Sequence, residues 1–120
     1  MPSSLNDRAE EGIDVDEYLP EPYTTFRERY PAVAAATDEL GRRLGASGPL
    51  DAREQRLVKL GIAVGALAEG AVRSNTRKAL DLGVDAEEIR HVALLAITTA
   101  GFPTTIAAME WIDEVLQART

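Results

Sequence analysis

Cysteine is absent from this chain of 120 residues. Its absence excludes disulfide bonds, thiolate catalysis and metal sites with thiolate ligands. Histidine occurs once and methionine twice, so few nitrogen or sulfur ligands are left for a transition metal. No motif indicates a bound cofactor. We therefore expect neither a metal site nor a cofactor.

Basic residues are outnumbered by acidic ones, and the net charge is −7. The first thirty residues carry eight acids against three arginines, a net −5, so the other ninety carry −2. A nucleic-acid partner is not expected, because a polyanion needs a clustered basic face. The chain also lacks an uncharged apolar run near the ~20 residues that span a bilayer, and its polar beginning is unlike a signal peptide. These absences predict a soluble, cytoplasmic protein.

The chain does contain helical periodicity. Apolar residues recur at spacings of three and four from position 57 to 68, and the stretches 89–97 and 106–116 are also strongly apolar. No stretch alternates apolar and polar residues as a strand does. We predict an all-α fold, with an acidic N-terminal arm over residues 1–21 and a helical domain over residues 22–120. Whether the arm lies on a surface or is disordered stays open.

Local chemistry predicts where the helices begin and end. Asp51 with Glu54, and Asp85 with Glu88, have the spacing of capping boxes. Pro31 and Pro103 suit the first turns of two further helices.

Two glycines suggest where a middle helix is bounded. Gly70 predicts a kink or a junction between two helices, followed by a helix from about Ala71 to Leu82. Gly83 then suits the left-handed residue that ends such a helix.

The apolar residues exceed what one small chain buries. The helix opened by Asp85 is apolar nearly all round, which predicts a central, buried element. In the last helix Trp111 and Val115 lie beside the main apolar stripe and need a second surface. We therefore predict a homo-oligomer.

Three segments resemble the carboxymuconolactone decarboxylase family, which includes the alkylhydroperoxidase-D-like proteins. They are "LDAREQRLVKLGIAVGALAEG", "RKALDLGVDAEEIRHVALLAITTAGFP" and the alanine-containing helix after that proline. The resemblance runs from Leu50 to about Trp111. It implies an all-helical, alkylhydroperoxidase-D-like bundle that assembles into trimers or hexamers.

In the peroxidase branch the resemblance implies a pair of cysteines, a histidine and a relay glutamate. Aligned on "RKAL", the two cysteine positions fall at Ala68 and Ala71. The histidine position falls at Asn75 and the glutamate position at Arg56. Two alanines cannot reduce a peroxide, so cysteine-dependent peroxidase activity is excluded. The decarboxylase branch needs no cysteine, but its histidines are also missing here, at Asn75 and at Leu95.

Polar residues gather where the resemblance places the site. Glu69, Arg73 and Arg77 have helical spacing and form one stripe. One interpretation is a solvated face of ion pairs. The other makes Glu69 a general acid or base, while an arginine, from Arg56, Arg73 or Arg77, holds a substrate carboxylate. In this second interpretation Asn75 serves as a hydrogen-bond donor in place of the imidazole.

These interpretations lead to two hypotheses of function. The first is decarboxylase-like chemistry on a small carboxylated molecule, which predicts a closed pocket around positions 56, 69, 73 and 75. The second is an oligomeric scaffold or binding module without catalysis, which predicts that these side chains are solvated or paired with each other.

Overall fold

The computed structural model describes residues 21–119, and the regular structure in this range is entirely helical. The all-α prediction is confirmed for these residues. Residues 1–20, and with them most of the predicted arm, lie outside the described range, so the arm boundary stays a prediction. The helices are α1 (Glu21–Arg29), α2 (Pro31–Gly45), α3 (Ala52–Gly65), α4 (Glu69–Asp81), α5 (Ala86–Leu95), a 3₁₀ turn (Ala96–Thr98) and α6 (Phe102–Ala118).

The chain divides into two compact units, residues 1–49 and 50–120. In the described part of the first unit, α1 and α2 pack side by side. Arg27 of α1 donates two hydrogen bonds to the carboxylate of Asp38 on α2, at 3.1 and 2.7 Å. Pro31 opens α2 as predicted, and Ala34 is the buried residue of this helix. The helix pair therefore has a bidentate ion pair and little apolar burial.

The second unit holds the core. Large side chains from α3, α4, α5 and α6 meet there and are fully buried, and each contributes roughly 1.5–3 kcal/mol to stability. The largest of them are Leu60, Val64, Val72, Ile89 and Ile112. Helix α4 packs against α3 on one side and α6 on the other.

Both predicted capping boxes are present. Asp51 accepts a hydrogen bond from the Glu54 N–H at 2.8 Å, and Glu54 accepts one from the Asp51 N–H at 2.9 Å. The same pair of bonds joins Asp85 and Glu88, at 2.9 and 3.1 Å. Glu88 also forms an ion pair with Arg53, so the first turns of α3 and α5 are connected.

Helix α4 ends as Gly83 predicts. Gly83 has a φ of 86°, and its N–H donates to the Leu80 carbonyl at 3.0 Å. The Val84 N–H donates to the Ala79 carbonyl, also at 3.0 Å. These bonds form a Schellman motif, which satisfies carbonyls at the helix end and needs a left-handed residue.

The predicted junction at Gly70 is wrong. Helix α4 begins at Glu69, so Gly70 lies within its first turn, and the break comes earlier, at residues 66–68. The cause is a second Schellman motif, at the end of α3. Leu67 donates to the Val64 carbonyl at 2.9 Å, and Ala68 donates to the Ala63 carbonyl at 3.1 Å.

The left-handed residue of this second motif is a leucine. Leu67 has a φ of 53° and is the one described residue other than glycine with a positive φ. A left-handed conformation costs a residue with a Cβ roughly 1–2 kcal/mol. The side chain of Leu67 is half exposed, so burial in the core does not offset this strain.

Helix α5 is not buried all round. Ile89 and Ala93 are its buried residues, while Leu94 and Leu95 are 51% and 61% exposed. The expectation that Val115 needs a second surface is also wrong, because Val115 is buried within the chain. Leu94 and Leu95 are exposed because the packed helices of this unit cover one side of α5 and leave the other uncovered. Other apolar side chains of the second unit are about half exposed or more, namely Val58, Ile62, Phe102 and Ile106.

Candidate functional site

Arg56 on α3 and Asn75 on α4 are joined across the two helices. The Nη1 of Arg56 donates a hydrogen bond to Oδ1 of Asn75 at 2.5 Å. The Nδ2 of Asn75 in turn donates to the carbonyl of Ala71 at 2.9 Å. Asn75 is therefore fixed at both ends of its amide, and it orients the Arg56 guanidinium.

Lys59 lies one helical turn after Arg56. Among residues 21–119 it makes no hydrogen bond or ion pair. The residue is exposed as a whole, yet the pKa of Lys59 is lowered, first by desolvation from partial burial and then by the positive charge of Arg56. Arg56 and Lys59 of α3 lie along the side of α4 that carries Asn75, and we call these three residues the basic flank of α4. Two adjacent cations on one turn make a local positive potential that suits an anion.

Glu69 and Arg73 belong to a different group. The Nε of Arg73 donates to Glu69 at 3.1 Å, and its Nη2 donates to Glu114 of α6 at 2.5 Å. The side chains of Glu69 and Glu114 are 54% and 49% exposed, and that of Arg73 is 28% exposed. The two carboxylates raise the pKa of Arg73 further, Glu114 more than Glu69. We call Glu69, Arg73 and Glu114 the paired flank.

Arg77 lies one turn beyond Arg73 on the same side of α4. It is half-buried and makes no hydrogen bond or ion pair among residues 21–119. Its pKa is lowered, first by burial and then by the charges of Arg119 and Arg73. Arg119 forms an ion pair with Asp81, which lies one turn beyond Arg77.

The residues predicted as one site therefore form two groups. Positions two apart on a helix point in nearly opposite directions, so Arg73 and Asn75 cannot face one another. Asn75 faces Arg56 on α3, while Arg73 reaches Glu114 on α6. Within the chain, Glu69 and Arg73 are paired with each other, and Arg56 is joined to Asn75 instead.

The chemistry open to these groups differs. The full sequence has no cysteine, so neither group supports thiol chemistry. Residues 21–119 hold no cluster of three metal-ligating side chains. Nor does any helix in this range combine the length and apolar composition that a membrane crossing requires. On the paired flank two carboxylates face one arginine, so this group has no net positive charge to offer an anion.

Comparison with known sequences identifies the family of the chain. The profile of the carboxymuconolactone decarboxylase family matches residues 31–114. The chain belongs to this family. It is also similar to two uncharacterized proteins of Methanocaldococcus jannaschii. One is 32% identical over 100 residues, which are 82% of this chain and 94% of the relative. The other is 27% identical over 90 residues, covering 74% of this chain and 86% of the relative.

The resemblance to the carboxymuconolactone decarboxylase family equates two residues of the basic flank, Arg56 and Asn75, with site positions of the family. The positions equated with the two cysteines, Ala68 and Ala71, share a helical face with Asn75 at spacings of three and four. Ala68 is the residue before the first turn of α4, and Ala71 supplies the carbonyl that holds Asn75. Glu69 lies between them in sequence and points elsewhere, toward Arg73.

Lys59 is the residue that sequence reasoning missed. Its signal was available, because position 59 follows Arg56 by three residues and so shares its face of α3. Its lowered pKa depends on burial, which the sequence does not display.

Proposed function

We propose that this protein binds a small carboxylated molecule on the basic flank and supports decarboxylase-type acid–base chemistry there. The observation that carries the proposal is the pair of neighbouring cations Arg56 and Lys59, of which Lys59 has no hydrogen-bond or ion-pair partner among residues 21–119. A carboxylate placed between them relieves their mutual repulsion and forms charge-assisted hydrogen bonds. Family membership supports the choice of a carboxylated ligand.

In this proposal the roles of the cations differ. Arg56, oriented by Asn75, positions the ligand through the flat donor face of its guanidinium. Lys59 is the proton donor, because a lowered pKa brings an ammonium closer to the range in which general acids work. When the bond between the carboxylate and its neighbouring carbon breaks, carbon dioxide leaves and the electron pair stays on that carbon. The ammonium of Lys59 then supplies the proton that replaces the lost group.

The test compares truncations on the two flanks of α4. Calorimetric titration of the full chain with benzoate measures binding, and release of carbon dioxide from carboxymuconolactone measures turnover. We expect Arg56→Ala and Lys59→Ala each to weaken binding about ten-fold, as the loss of a charge-assisted hydrogen bond implies. Arg73→Ala is the control and leaves binding unchanged. Turnover lost in Glu69→Gln but kept in Lys59→Ala would return the acid–base role to Glu69.

A second candidate is an oligomeric scaffold or binding module without catalysis. Two ion pairs favour this second candidate, that of Glu69 with Arg73 and that of Arg73 with Glu114. A carboxylate that is held in an exposed ion pair is poorly placed to act as a general acid on a substrate. Benzoate binding without any release of carbon dioxide would identify the protein as a binding module of this kind. If benzoate does not bind, the function of an oligomeric scaffold is the one that remains.

Self-association is part of both candidates. The side chains of Ile62, Leu95 and Phe102 are 65%, 61% and 59% exposed, and they come from three different helices. Large apolar side chains left uncovered on several helices are typical of subunit interfaces. We propose a homo-oligomer, a trimer or hexamer as the family resemblance implies. Light scattering should give a multiple of the 13.0 kDa chain mass, and Ile62→Glu should reduce that mass.

A further inference from the structure

Lys59 is one of two lysines in the full sequence, the other being Lys78. The other eleven of the 13 basic residues are arginines. An arginine keeps its proton in proteins, whereas a lysine can lose its proton and become a neutral amine. Position 59 therefore carries a group that a guanidinium cannot replace, because the amine has an electron pair with which it can attack another molecule.

The surroundings of Lys59 favour the neutral amine. Arg56 precedes it by three residues on α3, so the two side chains leave the same face of the helix with Cβ atoms about 5–6 Å apart. No carboxylate holds the ammonium, because Lys59 makes no hydrogen bond or ion pair among residues 21–119. Partial burial and the neighbouring guanidinium both lower its pKa, burial more than the charge. A desolvated lysine beside another cation is an activated nucleophile.

Arg56 limits which carbonyl compounds reach this amine. Its guanidinium donates to Asn75 at 2.5 Å, and in the proposed function it holds a carboxylate. A molecule held by its carboxylate brings the atoms next to that carboxylate near Lys59. A keto group separated from the carboxylate by one carbon suits decarboxylation, because the electron pair that carbon dioxide leaves behind then reaches a nitrogen bonded at the keto carbon.

We propose that Lys59 forms an imine with the keto group of a β-keto acid, and that the protein decarboxylates this class of acid. This inference rests on the proposed function, from which it takes the binding of the carboxylate by Arg56. In the proposed function the ammonium form of Lys59 donates a proton. With a β-keto acid its neutral form acts first, as the nucleophile.

The steps require only the acid, Lys59 and water. The amine nitrogen adds to the keto carbon, and the keto oxygen leaves as water after taking one proton from the nitrogen and one from the solvent. In the protonated imine that results, the bond to the carboxylate carbon breaks, carbon dioxide leaves, and the electron pair of that bond moves toward the nitrogen to give an enamine. A solvent proton adds to the enamine carbon. Water then hydrolyses the imine to the ketone and the amine, and one proton returns to the solvent.

Reduction by cyanoborohydride tests the proposal on the full chain with acetoacetate as the probe. The reagent converts an imine into a stable secondary amine, so after loss of carbon dioxide the lysine carries an isopropyl group, which peptide mass mapping locates. We expect this label on Lys59 and not on Lys78, and a faster release of carbon dioxide from acetoacetate than in buffer. Lys59→Arg keeps the positive charge and should keep benzoate binding, but it should lose the label and the acetoacetate turnover completely. Lys78→Arg is the matched control and should change neither.

The outcomes separate this inference from the function beneath it. Benzoate has no keto group, so its titration reports on the carboxylate site alone. If benzoate binds but acetoacetate leaves no label on Lys59, the imine is overturned and the carboxylate site stands. Equal labelling of Lys59 and Lys78 in the wild type also overturns the inference, since both lysines would then react as ordinary amines. If the wild type binds no benzoate, the proposed function fails, and this inference fails with it.

Discussion

The two flanks of α4 place an arginine in different surroundings. On the paired flank Arg73 lies between two carboxylates, which raise its pKa and neutralise its charge. On the basic flank Arg56 donates to a neutral amide and stands beside Lys59, whose pKa it lowers. The comparison shows that the groups facing a cation set the direction in which its pKa shifts: carboxylates raise the pKa of Arg73, and a neighbouring arginine contributes to lowering that of Lys59.

Reversing a charge on the basic flank should give the largest effect. In Lys59→Glu a carboxylate replaces the ammonium beside Arg56, pairs with the guanidinium and repels an incoming carboxylate. We expect benzoate affinity to fall about 100-fold, measured by calorimetric titration. Lys78→Glu makes the same change of charge on α4, outside the basic flank, and should have little effect. Comparable losses in both variants would mean that net charge, and not the basic flank, controls binding.

Removing the amide that orients Arg56 should give a smaller effect. Asn75→Ala deletes the acceptor of the Arg56 bond, so the guanidinium loses its fixed position, and benzoate affinity should fall about five- to ten-fold. Stability should change little, because alanine regains helix propensity of about 0.7 kcal/mol at an interior position. Thermal melting beside the titration separates the two effects. An unchanged affinity would show that Asn75 is structural only.

The paired flank should contribute modestly and depend on salt. A double-mutant cycle on Arg73→Ala and Glu114→Ala should give a coupling of about 0.5 kcal/mol at low ionic strength, because the pair is partly exposed. The coupling should be largely lost at 1 M salt, where the screening length is about 3 Å. Urea unfolding of the four proteins measures it. Coupling that persists in salt would indicate a more buried ion pair than the structure shows.

The smallest effect is a dependence on pH on the basic flank. The pKa of Lys59 is lower in the folded chain than its ordinary value of 10.5, so between the two pKa values the unfolded chain binds more protons. The free energy of unfolding should therefore rise slightly as the pH increases toward 10.5. Subtracting the same measurement on Lys59→Met isolates this contribution. A slope of opposite sign would mean that Lys59 gains an anionic partner on folding.

Local signals in the sequence predicted much of the fold. The capping boxes at Asp51 and Asp85, and the end of α4 at Gly83, depend on bonds within a few residues, so their chemistry is visible in the sequence. The break before α4 was misplaced because the left-handed residue is Leu67, with no glycine there to indicate it. The apolar pattern of α5 does not show which of its faces the single chain covers, and in the structure Leu94 and Leu95 are left exposed.

Some contacts among the candidate residues could be predicted from the sequence. Helical spacing linked Glu69 with Arg73 correctly, and the family resemblance indicated positions 56 and 75, which the structure joins. The prediction that all these residues lie around one pocket does not hold within the chain. The spacing of Arg73 and Asn75 already places them on opposite sides of a helix. Glu114 and Arg73 meet through tertiary packing, 41 positions apart, so no local pattern could have paired them.

One carboxylate near the start of α5 ties together two parts of the second unit. Glu88 completes the cap of α5 and also forms the ion pair with Arg53 of α3, and both contacts lower its pKa, the cap more than the arginine. A lowered folded pKa gives stability that is complete above the ordinary value of 4.5 and is lost only as the pH falls through the lower one. Protonation of the Glu88 carboxylate weakens the cap of α5 and the ion pair with Arg53 in the same step. The second unit should thus keep the relative position of α3 and α5 in mildly acidic surroundings, and lose both restraints together under stronger acid.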